Sequence, residues 1–489
     1  MSYTRKVAYN TVAQMIGKVL GTGISVVTVA LLFRYFGIDG IGQYTTVFAF
    51  VGFFAVLADF GLQWTLIREL TVNEDKGKVF RNIFAFRLLS AIVIYAISFA
   101  VVWFFNYPFE VKVGVGIIAL ANFFATMNST LVSVYLNNFR LDITVSAEVV
   151  GRAVTLGLIY LAVISGGTIG TALWAYIGGN LITFLINLVI LKKFVLFGLS
   201  FDFKYWRHVM RQAVPIGVVM IFGFIYYKID SVMLSVMKTM TDVGIYGTAY
   251  KMLEILQTIP VMFLGAAFPL ITKYVTEKDE RSQGAFQKSF DFLILLAVPT
   301  VVIFFFLAGP IINFIGGAKG DEFVAESTVT FLGQAITSVT IMKILIISVG
   351  ISFISNLYIY MVISLGKQKN AMLPTILIAI FNVILNFILI PRYSYLGAAV
   401  ATLVTEVLIL IAYSKLTNRS MSLPIGFNAF VRLLGAGVVM AFFTVLMIKG
   451  NINMFVIMLV SVIIYFILAF AFRGVSIDMV KDLFKKGDK

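Results

Sequence analysis

The sequence contains no cysteine, one histidine and only 12% charged residues in 489. The absence of cysteine excludes a disulfide framework, a thiol redox centre and a thiolate metal site. The one histidine, His208, sits in a polar loop beside Arg207 and Arg211, where its plain reading is a surface imidazole. It leaves no room for a Ser/His/Asp site in a bilayer, and neither a Walker phosphate loop nor zinc-ligand spacing occurs. Soluble domains carry about 25% charged residues, so the scarcity of charge excludes a soluble globular chain. Proline is scarce in the first half, which has only Pro108, while Pro215, Pro260, Pro269, Pro299, Pro310 and Pro374 fall in or beside apolar runs of the second. Proline breaks backbone hydrogen bonds and kinks spanning helices, so the second half is expected to bend.

What the chain has in abundance is apolar sequence, at 60% of residues with a mean hydropathy of +0.99. Runs of about 20 apolar residues recur from end to end, each able to cross a hydrocarbon core of about 30 Å as a helix. Fourteen spans are expected, near 11–33, 43–66, 83–105, 113–136, 145–164, 169–190, 213–236, 244–270, 289–314, 344–365, 371–390, 396–414, 430–448 and 453–472. A basic break at 191–211 separates two halves. The first apolar run is too long for a signal-peptide core and lacks a small-residue cleavage site, so it is expected to stay in the mature protein.

The net charge of +15 would suggest nucleic acid in a soluble protein. Here the basic residues sort by side: loops on the side of the N-terminus hold 25 Lys and Arg, against six on the other. That asymmetry is a topology signal, which places both termini in the cytoplasm of a cell-membrane protein and leaves no nucleic-acid partner. Residues 316–343 fit poorly, mixing Asp321, Glu322 and Glu326 with an apolar run from Thr328 to Ile341. A fifteenth crossing there would invert every later loop, so an amphipathic or extended helical segment on the outer side is expected.

The halves resemble each other. GIGQYTTVF at Gly40–Phe48 matches VGIYGTAY at Val243–Tyr250 with an offset of 202, and GTALWAYIGG at Gly170–Gly179 matches GAAVATLVTE at Gly397–Glu406 with an offset of 227. One insertion in the second half, about the size of the odd region, explains both. Six helices per copy make the repeats parallel, related by an axis along the membrane normal. The expected division is 1–195 and 213–416 as six-helix lobes, 196–212 as a cytoplasmic linker, and 417–489 as two added helices with a basic tail.

Charges at membrane depth cost roughly 2.5–3.5 kcal/mol each even on lenient scales and so face a bundle interior or a wet cavity. Lys228 and Asp230 lie in the seventh span, Lys251 and Glu254 in the eighth. Lys251 and Glu254 share a helix face and can pair, whereas Lys228 and Asp230, two apart, cannot. They read either as a transport site or as a salt-bridge network holding helices together. Glu148 and Arg152 have the i, i+4 spacing of a self-satisfied pair. Lys18 either snorkels or lines the lumen. Asp59 can cap its helix or pair with loop cations, and Glu406, with no cation on its own helix, can carry a coupling ion or proton. Glycines inside helices (Gly17, Gly21, Gly23, Gly178, Gly179, Gly435 and Gly437) read as helix-packing positions.

YFGIDGIGQYTTVFAF followed by ADFGL, then KIDSVMLS, VGIYGTAYKMLE, SLGKQKNAMLPT, NVILNFILIP and YLGAAVATLVTE, together resemble the polysaccharide-transporter flippases, relatives of the MATE drug exporters and lipid II flippases. The resemblance covers essentially the whole chain. It implies an all-α integral membrane protein with about 14 transmembrane helices, two six-helix lobes plus two C-terminal helices in a MATE-like V-shaped bundle. It implies translocation of polyprenyl-diphosphate-linked oligosaccharide, not enzymatic catalysis, driven by an H+ or Na+ gradient with no other cofactor. Lys228, Lys251, Lys18 and Arg152 are then the candidates for a cationic lumen, with Asp230, Glu254, Glu406, Glu148 and Asp59 as coupling or charge-network residues and no metal site. The implied partners are the lipid-linked glycan, membrane lipids, and a polysaccharide polymerase or glycosyltransferase. Lysine donors suit a diphosphate. Alternatives are a MATE-type small-molecule exporter, a lipid II flippase, a non-transporting scaffold of polysaccharide assembly, and a polyprenyl-linked glycosyltransferase, for which the loops are short.

Overall fold

A computed structural model describes residues 3–277, 281–421 and 426–474, with only the backbone described for 3–13, Met15, Ala266 and Ser420. Lys278 and the basic tail beyond Gly474 lie outside the described residues. The chain is built from helices α1 (Tyr3–Asp59), α2 (Leu62–Val72), α3 (Lys76–Val101), α4 (Phe109–Asn137), α5 (Leu141–Ile164), α6 (Ile169–Leu191), α7 (Phe203–Met237) and α8 (Met240–Thr276). They are followed by α9 (Arg281–Phe306), the short α10 (Ala308–Gly316) and α11 (Gly320–Ala325), then α12 (Ser338–Ser364), α13 (Gln368–Ser420), α14 (Phe427–Lys449) and α15 (Met454–Ala471).

Among the described residues, eleven helices are long and apolar enough to cross a membrane, and α8 makes a twelfth as a span bent by 46°. Two of them are double. The α1 element breaks at Gly37 (φ 69°) and α13 at Ser394 (φ 47°), each joining two helices, so the count reaches the expected fourteen. Gly37 takes a left-handed backbone that costs glycine nothing. In α8 the bend falls at 265–267, where Pro269 cannot donate to the carbonyl of Gly265. A Pro269→Ala variant is expected to straighten this helix, raising amide protection around residues 265–269 in hydrogen exchange.

Three expectations are corrected. Residues 203–212, read as linker, form the opening turns of α7, where Asp202 caps the helix by accepting from the backbone N–H groups of Lys204 and Tyr205. His208 is therefore on a helix and not in a loop, with Nε2 2.7 Å from the Gln212 amide and 3.8 Å from Glu69. The 316–343 region is not one helical segment. Beyond α11 it forms a hairpin, Val329–Phe331 (β1) against Gln334–Ile336 (β2), and its last residues open α12. Leu332 (φ 50°) and Gly333 (φ 76°) make the two-residue turn, with the positive angles that tight hairpins favour.

The hairpin is held down by Tyr395, whose buried hydroxyl donates to the Ile336 carbonyl at 2.6 Å and accepts from the N–H groups of Thr328 and Val329 at 3.2 Å each. Tyr395→Phe is expected to cost about 1–3 kcal/mol locally and to speed amide exchange across 328–336 with little change elsewhere.

The helices divide into two compact units. One holds the chain up to Gly247 together with Gly316–Lys319; the other runs from Thr248 and takes the remainder. Thus α7 and the first turns of α8, which open the second repeat, belong to the first unit. In that unit α7 follows the second arm of α1. Phe53 and Gly52 meet Phe224, Tyr107 hydrogen bonds Ser235 at 2.8 Å, and Phe60 lies against Gly217.

Candidate functional site

The site begins where the two repeats touch inside the first unit. A Cβ on Gly42 would stand 1.9 Å from the Met240 carbonyl oxygen, and one on Gly244 would stand 2.1 Å from the Ile38 carbonyl oxygen. Gly42 and Gly244 differ by 202, as do Ile38 and Met240, so each repeat presses the same glycine on the same carbonyl of its mate. The 202 offset is thus a real local two-fold. Asp39 and its mate Thr241 close the rim with a 2.7 Å hydrogen bond, and Thr45 meets its mate Gly247.

Below this crossing Asp230 is 3% exposed. It accepts from the phenol of Tyr246 and, at 2.6 Å, from the N–H of Ser231. The phenol of Tyr44, the repeat mate of Tyr246, instead hydrogen bonds Tyr176 at 3.1 Å. The corresponding site in the first repeat therefore has no carboxylate, since the mate of Asp230 is Thr28, buried and bonded to the Ile24 carbonyl. Lys228 is half-buried, with Nζ 5.7 Å from the Tyr227 ring.

In the second unit Lys251 and Glu254 pair at 2.8 Å, as their spacing predicts, with side chains 29% and 19% exposed. Glu406, 4% exposed, accepts from Ser355 of α12 at 2.7 Å. Next to it Thr405 accepts from Asn382, whose carbonyl in turn accepts from Asn386. That polar layer joins α12 to both arms of α13. Ser355 was not legible as a partner, because the contact spans two helices.

Lys18 is exposed on the first arm of α1. Arg152 binds Glu148 through Nε at 3.0 Å and also donates to the Gly21 carbonyl and the Ser25 hydroxyl. Its guanidinium thus ties α5 to α1. Asp59 pairs with Arg87 of α3, which is wholly buried, and not with a loop cation. Sequence reasoning passed over Arg87, and over Glu69, which is buried and accepts from Tyr205, Gln212 and Asn73. Among the described residues no cluster of three Asp, Glu or His side chains is placed to hold a metal ion.

The long apolar helices define an all-α, multi-pass membrane protein. A solved lipid II flippase, MurJ in an inward closed conformation, shares the fold with a TM-score of 0.76 at 15% identity, covering 98% of this chain and all of that one. An inward-facing MATE multidrug transporter aligns at 0.62 and 12% identity, over 84% of this chain and 98% of its own. A probable low-salt glycan biosynthesis flippase of Haloferax volcanii is 21% identical over 98% of both chains. The family described as polysaccharide biosynthesis protein matches residues 4–275, and the chain belongs to it. The named relatives are transporters and flippases, not enzymes.

Proposed function

We propose that the protein is a flippase moving polyprenyl-diphosphate-linked oligosaccharide across the cytoplasmic membrane by alternating access, with both termini in the cytoplasm and an H+ or Na+ gradient as the drive. Family membership and the glycan flippase relative support the cargo class. The observation that carries the reading is the unequal exposure of charge along the spans. Lys18, Lys228 and Lys251 keep exposed surface, Lys251 beside its part-exposed partner Glu254, whereas Asp230 and Glu406, like the cation Arg87, are buried. An exposed ammonium at membrane depth is costly against lipid and stable beside water. A wall of spans offering lysines suits a diphosphate, while a drug exporter for cations needs the opposite sign.

In this reading Lys228 of the first unit and Lys251 of the second are each candidates to bind the diphosphate, Arg152 and Lys18 extend the cationic path towards the cytoplasm, and Asp230 and Glu406 are each candidates to carry the coupling ion. The six-helix lobes, 1–195 and 213–416, supply the alternating walls, and a polymerase or glycosyltransferase hands over the cargo. The test is glycan-export complementation with defined lipid-linked oligosaccharides. Lys228→Ala and Lys251→Ala are expected to insert normally and to cut export at least tenfold, the equivalent of about 1.4 kcal/mol in binding. Normal export by both variants overturns the cationic site.

A further inference from the structure

The ADFGL motif, Ala58–Leu62, plays no part in the cargo site, yet it joins α1 to α2 directly against α7. Asp59 is the last residue of α1, and the two residues after it both turn left-handed, Phe60 at φ 39° and Gly61 at φ 78°. Phenylalanine rarely adopts that backbone, so something must hold the turn. The turn docks directly on α7. A Cβ on Gly61 would stand 2.8 Å from Ile216 and 2.9 Å from the Ala213 carbonyl oxygen, and one on Gly217 would stand 2.8 Å from the ring and carbonyl of Phe60.

The holder is Arg87. It is 1% exposed and its Nη2 binds the Asp59 carboxylate. The same helix, α3, also grips the start of α7: the Trp206 indole donates to the Asn82 carbonyl at 3.0 Å and its ring packs on Phe86. Arg87 is therefore one residue beyond the α3 surface that seats α7. Arg87 is the buried member of the pair, so losing Asp59 leaves an uncompensated charge inside the first unit and frees the turn that Asp59 opens.

We propose that Arg87 positions α7. It fixes the Asp59–Gly61 turn in the shape that docks α7, and releasing the pair lets α7 leave the second arm of α1 at the N-terminal side. This goes beyond the cargo assignment and is tested without cargo.

Because the chain has no cysteine, single thiols report cleanly. Val209→Cys, at a wholly buried α7 position, reports the docked end, and Ser235→Cys, the buried partner of Tyr107, reports the far end of the same helix. In nanodiscs, Arg87→Met and Asp59→Asn are each expected to raise maleimide labelling at Val209→Cys about tenfold, as local opening does, leaving Ser235→Cys slow. The charge swap Asp59→Arg/Arg87→Asp is expected to restore slow labelling. Should Arg87→Met fail to fold, Asp59→Asn and the swap carry the comparison. Unchanged labelling at Val209→Cys, an equal rise at both thiols, or no restoration by the swap overturns the proposal.

Discussion

Alanine at Gly244 is expected to force the two repeats apart at their crossing and to stop export. The new methyl would stand 2.1 Å from the Ile38 carbonyl oxygen, and the same change at Gly42 would stand 1.9 Å from that of Met240. Real Cβ contacts to backbone oxygen do not fall below 3.0 Å. The helices must therefore part by about an ångström, and well-packed helices resist such strain at roughly 1–3 kcal/mol per intrusion. Neither obstacle is a side chain that can rotate away, because both are main-chain carbonyls. The readout is a disulfide between Asp39→Cys and Thr241→Cys, positions whose side chains now meet at 2.7 Å. Rapid cross-linking is expected in the otherwise unaltered chain and cross-linking slowed on the order of tenfold in Gly42→Ala or Gly244→Ala. Equal rates would show that the crossing does not set the spacing.

The second large effect is expected at Asp230, where two substitutions separate stability from transport. Asp230→Ala removes an acceptor for the Tyr246 phenol and the Ser231 N–H in a site 3% exposed. Losing buried partners in this way costs about 1–3 kcal/mol, more for a charged acceptor, so the thermal transition should fall by several degrees. Asp230→Asn keeps an oxygen for one of the two donors and puts an NH2 where the other oxygen stood, from which the Tyr246 hydroxyl can accept, so it should melt closer to the unaltered protein than Asp230→Ala. If the carboxylate carries the coupling ion, export nevertheless fails in Asp230→Asn, because an amide binds neither a proton nor a cation comparably. Full export by Asp230→Asn would exclude Asp230 from coupling and leave Glu406 as the acid to test.

Much of this was legible because membrane sequence is repetitive in the right way. Apolar runs of spanning length gave the fourteen helices, and the alternation of loop charge fixed their number. The 202 offset, read from an eight-residue likeness, proved to be a physical two-fold because glycines at a close crossing have no alternative residue. Lys251 with Glu254 and Glu148 with Arg152 were legible because a helix brings residues three or four apart together. Arg87 was not. Its partner is 28 residues away on another helix, and a lone arginine in an apolar run carries no local sign of what it meets. Glu406 with Ser355 and Glu69 with Tyr205 fall to the same limit. The hairpin was missed because each strand is three residues long and its turn is Leu-Gly, not the Asn-Gly that normally announces one.

The glycine crossing also has a consequence for ancestry. A contact in which residue i of one half meets j of the other, and j meets i, is isologous, the form that two identical subunits make across a dyad. Within such a homodimer every substitution at the dyad appears twice, so a new carboxylate would face or accompany its own copy. Once the halves are joined in one chain that constraint lifts. Position 28 can be threonine where position 230 is aspartate, while at Gly42 and Gly244 the dyad holds both copies to the same residue because no other side chain fits.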